Sequence, residues 1–369
     1  MILHLARYLL VACCFCFNSV IAQTQLSKSQ IDSITNIIAR EMAIQHIPGL
    51  SIAISIDTTI VWGNAYGMSD IENSVPMTTN TKLRSASIGK PMTATAIMQL
   101  YQKGVINLND SIQKYYPLFP TKRWPISIYQ LLTHQSGIRP YQDEEVINHR
   151  HYKNVCEALT IFENDTLLFK PGTNYSYTSF NYNLLGCILQ KASKTDYYTF
   201  MYKSIFESSK MDATVLDDVN LVIHNRANGY RYDSQNKMLE NSYFHDPSDR
   251  IPAGGFLTTP IDLVKFAIAF YSCKLISQKI FSEMILNPKL PNGRFSGYGI
   301  GWGLFEPNDK FHGYTEVYHG GQTPGVSNML VLFLSPDKKV SIAIMTNLEG
   351  VQRRQEICEK IFEVIIDIK

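Results

Sequence analysis

Residues 84–98 read RSASIGKPMTATAIM. Ser87 stands three positions before Lys90, and a run of good helix formers follows. The pattern predicts a helix over about residues 87–103, stopped at Gly104. On a helix, positions i and i+3 share a face, so Lys90 reaches Ser87. A serine hydroxyl is a weak nucleophile without a base beside it. A solvated lysine stays charged near neutral pH, whereas burial lowers its pKa and makes it a base. The backbone N–H of Ser87, free at the helix start, is a candidate donor to an oxyanion. The alternative reading is Ser87 as a helix cap and Lys90 as a solvated residue. The same spacing recurs at Ser111/Lys114, Ser234/Lys237 and Ser335/Lys338, each in a polar, turn-like setting.

Two more segments carry candidate chemistry. In PGTNYSYTSFNYNLLG (171–186), Tyr177 and Ser179 fall in a turn before an apolar helix. A tyrosine beside a lysine can pass the serine proton or protonate a leaving group; otherwise it packs, like others of the 21 tyrosines. In VYHGGQTPGVSNMLVLF (317–333), Gly320 and Gly321 follow His319 on a strand edge. Glycine there lets a backbone come close to a substrate. The Gln322 amide is a second candidate oxyanion donor, and His319 a candidate contact for a carboxylate or leaving group; a turn with a surface histidine is the alternative.

Around these segments the order of elements points to an α+β chain. Ile31, Ile34, Ile38 and Met42 lie at helical spacing, with Ser27 or Ser29 as cap and Ile47-Pro48-Gly49 as stop. Residues 49–57 and 58–70 alternate as two strands. SIYQLLTHQSGI (127–138) reads as a helix and turn, and 181–206 as two helical segments. Residues 218–248 read as an inserted flap or strand pair, in which His245 and Asp246 are placed to pair. Thr259 caps a helix with Pro260 in its first turn and Asp262 near its positive end. Residues 297–305, 316–336 and 338–347 read as successive antiparallel strands. A last helix puts Ile357, Ile361 and Ile365 on one stripe. An antiparallel sheet built from both chain ends, about 23–85 and 290–369, with a mostly helical insertion at about 86–289, fits this order.

The 369 residues are 45% hydrophobic and 18% charged, with a formal net charge of +2. That is ample for a core and gives no electrostatic case for nucleic acid. Residues 1–22 read as a secretory signal: Arg7, an apolar run, then polar Gln23. Export to the periplasm or medium follows, with no transmembrane span in the mature chain; an uncleaved anchor, or a lipoprotein box at Cys13, is the alternative. Cys156, Cys187, Cys273 and Cys358 then remain, without a C-x-x-C pair. That spacing argues against a metal site and leaves disulfide pairing open, with buried thiols favoured.

Together the segments resemble the serine β-lactamases and penicillin-binding-protein-like peptidases, in particular the class C-like branch with its esterases and D-peptidases. The resemblance rests on LRSASIGKPMTATAIMQL, LLTHQSGI, PGTNYSYTSFNYNLLG, PAGGFLTTPIDLVKF, GYGIGWGL and HGGQTPGVSN. It implies a β-lactamase/transpeptidase-like fold over residues 23–369, with an antiparallel sheet flanked by N- and C-terminal helices. It implies Ser87 as nucleophile, Lys90 as proton acceptor and Tyr177 as general acid/base. Ser87, Gln322, His319, Gly321 and Ser179 then bind substrate or oxyanion, and His134 is structural. No metal or cofactor is implied; the partner is a small-molecule or peptide ester or amide. Ser179 replaces the family's usual asparagine, and His319 the lysine frequent in true β-lactamases. Both departures weaken the case for efficient β-lactam hydrolysis and favour a broader serine hydrolase: a carboxylesterase, a D-amino-acid peptidase or a weak β-lactamase. Acyl transfer from the same acyl-enzyme, or a silent peptidoglycan sensor, is the alternative.

Overall fold

The computed structural model describes residues 25–367, so the signal read at 1–22 lies outside them. Helix α1 (Lys28–Gln45) opens on a capping box, in which the Gln30 N–H donates to Ser27 Oγ at 3.2 Å. Strands β1 (Gly49–Ile56) and β2 (Thr59–Asp70) form a hairpin, with β3 (Val75–Pro76) on its outer edge. The chain then builds α2 (Gly89–Gln102), α3 (Ser179–Ser193), a small hairpin of β4 (Tyr230–Asp233) and β5 (Met238–Asn241), and α4 (Pro260–Tyr271). It returns as β6 (Gly303–Leu304), β7 (Thr315–Thr323), β8 (Val326–Leu334), β9 (Lys339–Thr346) and α5 (Arg354–Ile365).

Among the described residues, seven strands form one antiparallel sheet in the order β3-β2-β1-β9-β8-β7-β6. The two chain ends meet at its centre, where Ile52 opposes Ile344 and Ile54 opposes Ile342. Strand periodicity sends alternate side chains to opposite faces. Ile52, Ile54, Ile342 and Ile344 join α1 and α5 through Ile34, Ile38, Ile357 and Ile361. Ala53, Ala343 and Met345 face the other way, into the core shared with α2 and α4. Each isoleucine fully buried in this way contributes about 1.5–3 kcal/mol. Thr259 Oγ accepts from the Asp262 N–H at 3.2 Å, so α4 starts where its cap is read. Helix α2 is buried on nearly every side, which makes it the central helix of the molecule.

Three local readings change. Of residues 297–305 only Gly303 and Leu304 pair with β7, because Gly297 and Gly301 take φ of 75° and 85° and break the extended path. Cys156 and Cys187 are not separate thiols but form a disulfide, because α3 packs on the turn after Cys156. His245 and Asp246 do not pair with each other: Asp246 Oδ2 meets His151 Nδ1 at 2.8 Å, and His245 turns to Asn148. Among the described residues no helix is long and apolar enough to cross a membrane.

Candidate active site

Ser87 sits in a tight turn rather than on the first turn of an α-helix. Ala86 to Ile88 form a 3-10 turn that runs into α2, and Ala86 adopts a φ of 48°, strained for a residue with a Cβ. Two glycines let the surroundings close on this turn. A Cβ on Gly254 would lie 1.8 Å from the Ala86 carbonyl oxygen, and one on Gly321 would lie 2.6 Å from that of Ser85. Polar ties complete the clamp. Ser85 Oγ donates to Gly254 O at 3.0 Å, and Asn328 Nδ2 donates to Arg84 O at 2.6 Å.

Lys90, one turn on, is fully buried. Its Nζ stands 2.8 Å from Ser87 Oγ, 3.0 Å from Ser179 Oγ and 3.3 Å from Ala253 O. Among the described residues no carboxylate pairs with it. Burial pushes its pKa well below that of a free lysine, and the nearby Arg250 charge adds to the effect. The amine is thereby made available as a base. Arg250 itself is held by Asp249 at 2.7 Å and lies over the Tyr141 ring.

Tyr177 comes to the same point from the loop before α3, with its ring centroid 4.9 Å from Lys90 Nζ. It remains 37% exposed, yet its hydroxyl end is desolvated, which raises the phenol pKa; the Ser87 hydroxyl offsets part of the rise. The group is therefore a neutral phenol, able to accept one proton contact and donate another. His134 packs against its ring at 4.4 Å and accepts the Thr178 N–H through Nδ1. Burial drives His134 well below its ordinary pKa, so it stays neutral.

Strand β7 supplies the third wall. Thr323 and Val326 close a two-residue turn and form a hydrogen-bonded pair, and pairs alternate along an antiparallel ladder. Gln322, the next residue in, thus directs its backbone N–H away from β8. Gln322 lines one cavity of about 530 Å³ with Ser87, Tyr177, Ser179 and Arg250. His319 faces elsewhere. It lines a neighbouring cavity with Tyr175, Tyr177 and Tyr298, where its Nδ1–H donates to Gly320 O at 2.7 Å and Nε2 accepts from the Tyr298 hydroxyl at 2.9 Å. Burial, and next the charge of Lys90, push its pKa down to about 3.

The structure thus brings Ser87, Lys90, Tyr177, Ser179 and Gln322 together, uses Gly321 for close packing and sets His319 behind Tyr177. Arg84, Tyr141 and Arg250 escape the sequence reading. Their one signal is position, since Arg84 precedes Ser87 by three residues and Arg250 precedes Pro252-Ala253-Gly254 by two.

Comparison with known proteins agrees with this arrangement. The family model described as Beta-lactamase matches residues 34–364. The mitochondrial serine beta-lactamase-like protein LACTB of Homo sapiens is 26% identical over 406 residues, covering 82% of this chain and 74% of its own. The octameric penicillin-binding protein homologue from Pyrococcus abyssi superposes with a TM-score of 0.76 at 25% identity, over 91% of this chain and 77% of that one. The D-amino acid amidase from Ochrobactrum anthropi shares the fold, with a TM-score of 0.78 at 21% identity over 91% and 99% of the two chains. With its sheet, its nucleophile turn and the extent of the family match in view, the chain belongs to the beta-lactamase family of serine β-lactamase-like and penicillin-binding-protein-like proteins.

Proposed function

We propose that the protein is a serine hydrolase that cleaves an ester or amide through an acyl-enzyme on Ser87. The observation that carries this reading is the desolvated Lys90 amine, 2.8 Å from Ser87 Oγ, with no carboxylate among the described residues to hold its charge. Ser87 Oγ bonds to the substrate carbonyl carbon while its proton passes to Lys90 Nζ, directly or through the Tyr177 hydroxyl. Lys90 and Tyr177 act as a coupled pair. The carbonyl oxygen becomes an oxyanion held by the backbone N–H groups of Ser87 and Gln322. The bond to the leaving oxygen or nitrogen then breaks, and the pair returns the proton to that atom. Water attacks the acyl-enzyme by the same route and frees the acid.

The likeness to a D-amino acid amidase supports an amide or peptide substrate, and Ser179 in place of asparagine points away from efficient β-lactam turnover. The chain carries an export signal at residues 1–22 in this reading. The Cys156–Cys187 disulfide supports it, since such bonds persist in oxidising compartments. The test is labelling with a fluorophosphonate probe. The wild type should be labelled and Ser87→Ala should not; full labelling of Ser87→Ala overturns the assignment. A panel of p-nitrophenyl esters, D-alanyl peptides and nitrocefin then ranks the substrates.

A further inference from the structure

The cavity that holds Ser87, about 530 Å³, has an apolar wall that the chemistry at Lys90 does not use. Val146 and Ile147 line it from one loop and Tyr243 from the stretch after β5, with Pro247 and Pro324 beside them. Val146 is 44% exposed and Tyr243 50%, so both side chains present free surface. Large apolar side chains left uncovered at the mouth of a cavity mark a place where another apolar group binds.

The two loops are fastened side by side. The Asp246 N–H donates to Asn148 O at 2.9 Å, the Asn148 N–H to His245 Nδ1 at 3.0 Å, and Asn148 Nδ2 to Asp246 O at 2.7 Å. Arg231 Nη1 donates to the Tyr243 hydroxyl at 2.5 Å, which takes up the polar end of that ring. The charged groups around the cavity have partners too. Arg84 pairs with Asp217 at 2.8 Å and Arg250 with Asp249 at 2.7 Å. Glu349 accepts from the Gly325 N–H at 2.9 Å and the Ser242 hydroxyl at 3.1 Å. An ionised ligand must give up its water to meet charges already engaged, whereas an uncharged chain gains by leaving water.

We propose that this wall binds an uncharged, apolar chain on the acyl part of the substrate. The acyl part stays joined to Ser87 Oγ, and Ser87 lines this cavity but not the neighbouring one of Tyr175, Tyr298 and His319. The assignment to the acyl part rests on the acyl-enzyme reading; the apolar binding needs no catalysis. Each methylene moved out of water onto the wall tightens binding about fourfold.

The experiment separates the two. Ser87→Ala protein is titrated calorimetrically with acetamide, hexanamide, adipamic acid and aminocaproamide. Hexanamide should bind at least about tenfold more tightly than acetamide. Adding Val146→Asp or, separately, Tyr243→Ser, both at exposed positions, should cut that ratio at least about threefold. No measurable binding of hexanamide, equal affinity for the two amides, or a ratio untouched in both variants overturns the proposal. Tighter binding of adipamic acid or aminocaproamide, whose chains end in a charge, overturns the choice of an apolar group. In the wild type, ethyl hexanoate and hexyl acetate have the same composition and differ in which side of the ester carries the chain. Ethyl hexanoate should exceed hexyl acetate at least about tenfold in kcat/KM; equal rates or the reverse order overturn the assignment to the acyl part. If neither ester is cleaved, the hydrolase reading fails while the titrations still decide the wall.

Discussion

Lys90 Nζ lies 2.8 Å from Ser87 Oγ in a pocket where, among the described residues, its other close polar contacts are neutral oxygens, Ser179 Oγ and Ala253 O. A lysine buried without a counter-charge is costly to keep protonated. Replacing it by methionine should abolish acylation, with a loss of at least about 10³ in the rate, while raising the unfolding free energy by about 1 kcal/mol. Stopped-flow acylation and chemical denaturation read the two effects. A variant that is both inactive and less stable contradicts a neutral Lys90.

The same burial sets a pH dependence. The folded-state pKa of Lys90 lies below the free value of 10.5. Between the two, the unfolded chain holds more protons, so this group makes stability rise with pH across that window and fall again as pH drops through it. The acylation rate should climb with pH as Lys90 loses its proton, with the midpoint of the limb well below 10.5. A kcat/KM profile between pH 5 and 10 checks the sign; a rate that falls as pH rises contradicts it.

Tyr177→Phe removes a hydroxyl from a ring that His134 already packs against at 4.4 Å. The ring position should survive, so thermal unfolding should barely move while kcat/KM falls by about 10²–10⁴. Equal activity of the two proteins would leave Tyr177 as a packing residue alone.

Gly254→Ala adds a Cβ 1.8 Å from the Ala86 carbonyl oxygen at a φ of 150°. The backbone around Ser87 must shift, at a cost of about 1–3 kcal/mol, and acylation should be lost with it. Calorimetry and probe labelling measure both.

The Cys156–Cys187 disulfide closes a loop with a sequence separation of 31 residues and ties it to α3. Reduction, or the double change Cys156→Ser with Cys187→Ser, should lower stability by about 2–4 kcal/mol. Unfolding curves with and without dithiothreitol give the difference; identical curves would mean the bond is not formed.

Much of the frame is local and therefore legible. Ile34 and Ile38 repeat at helical spacing, Ile52 and Ile54 at strand spacing, and Thr259 caps α4, because each signal is written within a few residues. The juxtaposition of Ser87 and Lys90 is legible for the same reason, being one turn of chain. What escapes the reading is long-range. Arg250 reaches Lys90 from 160 positions away, Cys156 meets Cys187 only after α3 packs, and no spacing rule reveals that His319 will be turned toward Tyr298. Glycine-rich 297–305 alternates like a strand, but the positive φ values of Gly297 and Gly301 decide otherwise. The shared Asp217 of Arg84 and Arg226 likewise depends on three segments that only the fold brings together.

The central claim is that Lys90 activates Ser87 for covalent attack. The most direct measurement is site-resolved mass spectrometry of the protein quenched within one turnover of an activated ester, for the wild type and Lys90→Met. The expected result is one acyl adduct, on the peptide holding Ser87, in the wild type and none in the variant. An adduct on another residue, or one that forms on Ser87 equally fast without Lys90, contradicts it.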